Sequence, residues 1–482
     1  MPVLEAELSY FRISLAQKFS DQLEAGEPLT ADDIADTVRS GPFSLSEEQS
    51  DEIIRQLESS FTTSQTLGAS IRSDYNPWLS GRRASIDFFY WNRLNRYYMT
   101  TGELPPSVIS TLDNVTDELL DYCGNPADEG DWSRRGMVMG HVQSGKTTNY
   151  AALICKAADA GYKVIILLAG ITNSLRAQTQ ERLDETFIGK VSVFNPAVQT
   201  ILPITNFGDG RFPAYGTSRD NDFSKQAAST YGATLSALNE PIIFVTKKNK
   251  STLERLRDWL RDQNPGGLIN EPLLLIDDEA DNASINTASD PNKATAINRA
   301  IRETLALFRR SSYVGYTATP FANIFIDADT DDDMLQDDLF PKHFIKALDP
   351  PSNYVGASRV FADEGDLKGT TVRVISDYQD ILPLKHKRDH DLVMLPPSMK
   401  LALRLFFLTR AVRLLRDQGR DHCSMMINAS RFNDVQDRIN GLVYAYLVMV
   451  RNSITVNGGL PLSRIQDENI LELSGDFRRE FE

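Results

Sequence analysis

The chain has 482 residues, 41% hydrophobic and 24% charged, the composition of an ordinary soluble protein long enough for about two to four domains. No apolar run approaches the roughly 20 residues of a membrane span, Val164 to Leu168 being the longest candidate, and no basic segment leads an apolar one at the N-terminus, so neither a membrane anchor nor a secretory signal is predicted. The net charge of −15 argues against nucleic acid as a partner, but residues 1–75 carry −9 of it and Asp327 to Asp338 carry −7, which leaves the other 395 residues near +1.

Residues 1–80 read as an acidic helical region ending in a linker. One helix is predicted from Leu4 to Leu23, a second opened by Thr30 with Asp32 and Asp33 in its first turn, a third by Ser46 with Glu47 and Glu48. A partner-docking module is one use for such a region. The Ser, Thr, Gly, Asn and Pro of residues 61–81 then mark a linker. Residues 81–131 form a helical lead-in, with helices from Ala84 to Met99 and Pro106 to Tyr122. The first carries Phe88, Phe89, Tyr90, Trp91, Tyr97 and Tyr98 among Arg82, Arg83, Arg93 and Arg96. Aromatics among arginines can stack single-stranded bases; more commonly they bury against a neighbouring domain. Trp132 or Arg134, further on, is a candidate neighbour for a nucleobase.

From 132 to 326 strands and helices alternate. The predicted strands are 136–139, Lys163–Leu168, Ile242–Thr246, Leu273–Ile276 and Ser312–Tyr316, short, apolar and β-branched as buried parallel strands are. The segment from Asn195 to Asp222 reads as an irregular insertion. The first strand runs into Gly140, His141, Val142, Gln143, Ser144, Gly145, Lys146, Thr147 and Thr148, which fit G-x-x-x-x-G-K-[ST] and open a helix that Gly161 stops. Loop N–H groups and the positive end of the helix dipole converge on one point, which suits a polyphosphate. Lys146 adds a charge for the β/γ-phosphates, and the Thr147 hydroxyl can ligate Mg²⁺. ATP and Mg²⁺ are the expected ligands.

The strand at Leu273–Ile276 ends in Asp277-Asp278-Glu279-Ala280-Asp281 and delivers carboxylates to the same sheet edge. A nucleotide hydrolase needs one acid for the metal and one for the attacking water; Asp278 takes the first role, with Asp277 as runner-up, and Glu279 the second. The strand at Ser312–Tyr316 ends in Thr317-Ala318-Thr319-Pro320, whose two hydroxyls can bond a neighbouring carboxylate and sense the γ-phosphate. The predicted fold is α/β: a RecA-like doubly wound parallel sheet of the P-loop NTPase kind, preceded by an all-helical N-terminal region and followed by the start of a second α/β lobe. Three thiols, Cys123, Cys155 and Cys423, and five histidines show no zinc-type spacing, so reduced cysteines in a cytoplasmic protein are expected.

In order and spacing these motifs resemble the first lobe of superfamily 2 helicase-like ATPases, and more closely the bacterial Z1 domain family. That likeness runs through WSRRGMVMGHVQSGKT (132–147), AGYKVIILLAGITNSLRAQTQERLD (160–184), LLLIDDEAD (273–281), VGYTATPFANIFI (314–326), LFPKHFI (339–345), LPPSMKLALRLFFLTRAVRLLRD (395–417) and SMMINASRF (424–432), over roughly residues 76–482. The resemblance implies an ATP-dependent engine of bacterial defence against phage or plasmids, with DNA as substrate, working beside a MORC-type GHKL ATPase and a nuclease. It also implies that Gly170, Asn173, Arg176 and Gln178 touch nucleic-acid backbone; a helix N-cap and an exposed helix face would explain them as well.

Lys247 and Lys248 follow a strand end and can meet phosphates, as can a plain loop. Residues 327–394 read as an acidic, solvated insertion and linker. Residues 395–482 read as a helix and the incomplete beginning of a second RecA-like lobe whose first strand would be Ser424 to Ile427. No Q-x-x-G-R-x-x-R segment follows, so hydrolysis is expected to need arginines from a second lobe or partner. The competing reading is a nucleotide-gated switch or scaffold that binds proteins and never translocates; a nuclease ranks last, for want of a separate carboxylate cluster.

Overall fold

The apolar runs of the sequence become the middle of one eight-stranded sheet in the computed structural model. The structure describes all residues except 1–4, 26, 74, 142–144, 195–198, 209, 225–234, 266, 283, 285–294, 321–322, 324–330, 333–335, 338, 417, 420–421 and 482. They divide into two compact units, Val3–Gly356 and Ala357–Glu482.

In the first unit the strands are β1 (Ser70–Arg72), β2 (Trp132–Gly140), β3 (Val164–Ala169), β4 (Ala214–Tyr215), β5 (Ile242–Thr246), β6 (Leu273–Asp278) and β7 (Arg310–Thr317), then a separate two-stranded ribbon of β8 (Asp331–Asp332) and β9 (Gln336–Asp337), and finally β10 (Phe344–Leu348). The sheet order is β1-β10-β2-β7-β6-β3-β5-β4, and every neighbouring pair is parallel except β1 with β10. Helices cover both faces, which is why β3 and β5 are apolar and buried at almost every position. Successive residues alternate between two cores. Ile165, Leu167, Ile243, Val245, Leu274 and Ile276 pack with helices Phe89–Thr101, Pro106–Tyr122 and Lys146–Ala160. Val164, Ile166, Leu168, Phe244, Leu273 and Leu275 pack with helices Lys250–Gln263 and Ala296–Leu305.

Two strands of the eight-stranded sheet lie where linkers were expected, as does the β8–β9 ribbon. β10 falls within 327–394, and its apolar alternation is interrupted by Lys346, whose Nζ is buried against Glu118 Oε2 at 2.6 Å and the Gly68 carbonyl at 3.1 Å. β1 is a fully exposed three-residue edge that carries no hydrophobic pattern at all. Gly68 ahead of it has φ +71°, and a Cβ there would lie 2.2 Å from the Ala347 carbonyl oxygen, so only glycine lets this segment close on β10.

Residues Glu5–Phe61 form four helices with their own small core, including Phe11, Leu15, Ile34, Leu57 and Phe61. Thr30 with Asp33, and Ser46 with Gln49, close reciprocal capping boxes at two of the N-termini. The arginine-rich aromatic helix starts at Phe89 rather than Ala84 and buries Tyr90, Trp91 and Tyr98. Arg93 is buried too and donates to the carbonyls of Phe187 and Arg211, while Asp159 accepts the Tyr90 and Trp91 N–H groups at 2.9 Å each. These side chains are structural and offer no stacking platform.

The second unit packs helices Pro397–Leu415, Asn433–Asn457 and Glu468–Phe481 around Leu395, Leu403, Val435, Ile439 and Leu473. Arg404 is buried among them, with Nε 2.5 Å from Asp476 Oδ2 and Nη1 donating to Tyr446 Oη at 3.0 Å. No described residue of this unit is in a strand. The expected strand Ser424–Ile427 is therefore corrected: it runs without strand partners and leaves Met426 85% exposed, because an isolated apolar tetrapeptide has no ladder to satisfy its N–H and C=O groups. Cys123, Cys155 and Cys423 are free thiols, the first two buried. Among the described residues no helix is long and apolar enough to cross a membrane.

Candidate phosphate-binding site

The parallel registers bring three strand ends to one sheet edge. Met139 pairs with Thr317, Tyr316 with Asp278, and Asp278 with Ala169. The threonine strand β7 lies between the phosphate-loop strand β2 and the acid strand β6, so loop and acids are two strand spacings apart, about 10 Å.

β2 ends at Gly140, and helix Lys146–Ala160 begins directly after Gly145, whose φ of +91° is left-handed backbone that a side chain would strain. Val142, Gln143 and Ser144 lie outside the described residues. Lys146 Nζ donates to the carbonyls of Gly140 at 3.1 Å and His141 at 2.9 Å. Its pKa is lowered by burial, against the pull of Asp278, Asp281 and Glu279. Thr147 and His141 are exposed, and Thr148 is half-buried. Tyr150, one turn after Lys146, reaches Asp278 Oδ2 at 3.4 Å and thereby ties the loop helix to the acid strand. Gly145, Thr148 and Asn149 also form one wall of a cavity of about 220 Å³ whose other walls include Leu67, Val108, Thr111, Leu112, Leu348 and Asp349.

The acids divide by burial. Asp277 is fully buried; its Oδ1 lies 2.7 Å from Lys248 Nζ and its Oδ2 accepts the Tyr313 hydroxyl at 2.7 Å. It is bound up in the fold, which removes it as runner-up for the metal. Asp278 is half-buried, accepts the Glu279 N–H at 3.0 Å through Oδ1 and stands nearer the loop. Glu279 is exposed and has φ +54°, the one non-glycine residue with positive φ among those described. Held backbone strain of that kind costs about 1 kcal/mol or more and persists where the surroundings over-determine it. Asp281 accepts Thr317 Oγ1 at 2.7 Å and Thr319 Oγ1 at 2.5 Å, and the Thr319 N–H closes back on Thr317 Oγ1 at 2.9 Å. The expected bond between the two hydroxyls and a neighbouring carboxylate is present. Asp281 itself was missing from the predicted site, although its place in the acidic run could have signalled it; Tyr150 had the weaker signal of standing one helical turn from Lys146.

Burial pushes the Asp278 carboxyl above the ordinary carboxylate range, and the charge of Glu279 pushes it further. Its folded pKa therefore exceeds its unfolded one. The ionised group weakens the fold above the folded pKa, and that penalty fades as pH falls and the carboxyl protonates. Asp278→Asn is expected to melt higher than the wild type near neutral pH without nucleotide, with the gain vanishing toward about pH 4. Thermal melts across that range check it; an unchanged or lower melting temperature at neutral pH would contradict it.

Of the positions expected to touch nucleic acid, Asn173 and Gln178 are exposed and the Lys247 ammonium donates to Asn173 Oδ1 at 2.7 Å. Three are corrected. Arg176 is buried and donates through Nη1 to the Ser218 carbonyl at 2.8 Å. Lys248 is buried against Asp277. Gly170 is buried and accepts the Lys248 N–H at 2.8 Å. All three belong to the frame under the site. Trp132 and Arg134 start β2, at the opposite edge of the sheet from Gly140, and are not neighbours of the loop.

A solved structure, the Hef helicase domain of Pyrococcus furiosus, is similar at 14% identity and a TM-score of 0.27, covering 72% of this chain and 65% of that one, so the present chain spans a little under two thirds of its length. No curated protein matches the chain. The model of the Z1 domain matches residues 398–480, a shorter stretch than the one over which the sequence resembles that family, and it falls wholly within the second unit. The comparisons thus give a likeness to the Z1 domain over the C-terminal unit.

Proposed function

We propose that the first unit is the RecA-like ATPase lobe of a helicase-like engine. One observation carries the reading: a lysine-bearing glycine loop, a half-buried aspartate and a strained, exposed glutamate share one edge of a parallel sheet. Loop N–H groups and the start of helix Lys146–Ala160 would take the phosphates, with the Lys146 ammonium moving from the Gly140 and His141 carbonyls to the β/γ-oxygens. Thr147 and Asp278 offer a hydroxyl and a carboxylate, the hard oxygen donors that Mg²⁺ favours. The metal would supply charge neutralisation on the phosphate oxygens. Glu279 would orient and deprotonate the attacking water. Asp281, bonded to both Thr317 and Thr319, would report changes near the γ-phosphate to β7.

The cavity beside Gly145 suits the nucleobase, having Val108, Leu112 and Leu348 for its faces and Thr111, Asn149 and Asp349 for its polar edges. Val108→Phe, which intrudes on it, should weaken ATP at least about tenfold, worth 1.4 kcal/mol, and leave inorganic tripolyphosphate unaffected. Calorimetry with both ligands checks this; equal weakening of the two would place the base elsewhere.

Action on DNA in defence against phage or plasmids, beside a GHKL ATPase and a nuclease, rests on the motif resemblance and on the exposed Asn173 and Gln178 with the half-buried Lys247 beside them. The test is hydrolysis by the full-length protein with and without single- and double-stranded DNA. The motor reading expects stimulation of about tenfold or more, a barrier change of 1.4 kcal/mol. Equal turnover would favour the nucleotide-gated scaffold, for which the acidic bundle at Glu5–Phe61, with its own small core, is the supporting feature.

A further inference from the structure

Lys248 has no sequence motif to its name, yet it lies at the centre of the strained turn. Its Nζ donates to the Glu279 carbonyl at 2.5 Å and to the Asn282 carbonyl at 3.0 Å while standing 2.7 Å from Asp277 Oδ1. Its own N–H bonds the Gly170 carbonyl at 2.8 Å, which fixes the start of the lysine side chain at the end of β5. The rest of the turn is pinned from the other side: Ala280 N–H bonds the Tyr316 carbonyl at 2.9 Å, and Asn323 Nδ2 bonds the Ala280 carbonyl at 3.1 Å. Glutamate adopts φ near +54° uncommonly, at a cost that held peptide groups offset. Two carbonyls that converge on one buried ammonium supply that hold, and the Asp277 carboxylate pairs with it so that neither side chain is buried without a partner.

We propose that Lys248 is a positioning residue that staples the Glu279–Asn282 turn and so aims the Glu279 carboxylate at the attacking water. The proposal rests on the ATPase reading for its kinetic consequence, but its structural content stands apart from it. In the full chain, Lys248→Met paired with Asp277→Asn removes the staple without stranding a buried charge. The double variant should fold, bind ATP with the wild-type constant, and lose about 100-fold in kcat with KM little changed, the scale of a misplaced general base. Its crystal structure should show Glu279 relaxed to negative φ. Lys248→Gln in the Asp277→Asn background keeps an amide donor and should recover part of the turnover and the positive φ; this variant carries the test if the methionine variant does not fold. Wild-type kcat in the folded methionine double variant, or Glu279 still near +54° in either its structure or in a glutamine variant without turnover, would overturn the proposal. Absence of hydrolysis in the wild type would sink the ATPase reading instead, and the Glu279 backbone would still decide the staple.

Discussion

Glu279→Gln is expected to leave ATP affinity within about threefold of wild type and to cut hydrolysis by a factor of about 10² to 10⁴, the usual contribution of a positioned general base. The carboxylate projects from an exposed residue whose backbone is held by Lys248, and Ala280 after it is anchored to β7. Glutamine preserves the size and the backbone but cannot take a proton. Affinity is read by calorimetry and turnover by phosphate release. Loss of binding together with turnover would make Glu279 a structural or metal-holding acid and return the water-activating role to another group.

Lys146→Ala should abolish turnover and weaken ATP by about 30- to 100-fold, as removal of a charge-assisted bond worth about 2–3 kcal/mol would do. Among the described residues its ammonium bonds the carbonyls of Gly140, at the end of β2, and of His141 just beyond it. The substitution should therefore change the melting temperature of the nucleotide-free protein by little. A large drop in melting temperature would show that the lysine closes the loop rather than serving a ligand.

The strands that frame the site were legible because their surroundings are uniform. β3, β5 and β6 are covered on both faces and read as unbroken apolar runs, and the glycines, lysine and acids at the ends of β2 and β6 stand in fixed relation to them. β10 was illegible because its pattern includes a lysine that becomes buried only once Glu118 arrives from a helix more than two hundred residues away. β1 has only an exposed edge to show. Arg176 and Lys248 look like solvent-facing charges in the sequence; only the fold places backbone carbonyls of Ser218, Glu279 and Asn282 around them. The division of labour between Asp277 and Asp278 was likewise open until the period-two alternation of β6 put the first inside, on Lys248, and the second at the cleft.

Nucleotide-dependent uptake of Mn²⁺, read by electron paramagnetic resonance on the full-length protein, tests most directly whether loop and acids form a single site. One Mn²⁺ should bind tightly with ATP in the wild type, and binding should fail in Lys146→Ala and in Asp278→Asn alike. A wild-type signal retained in either variant would mean that the glycine loop and the carboxylates do not serve one triphosphate.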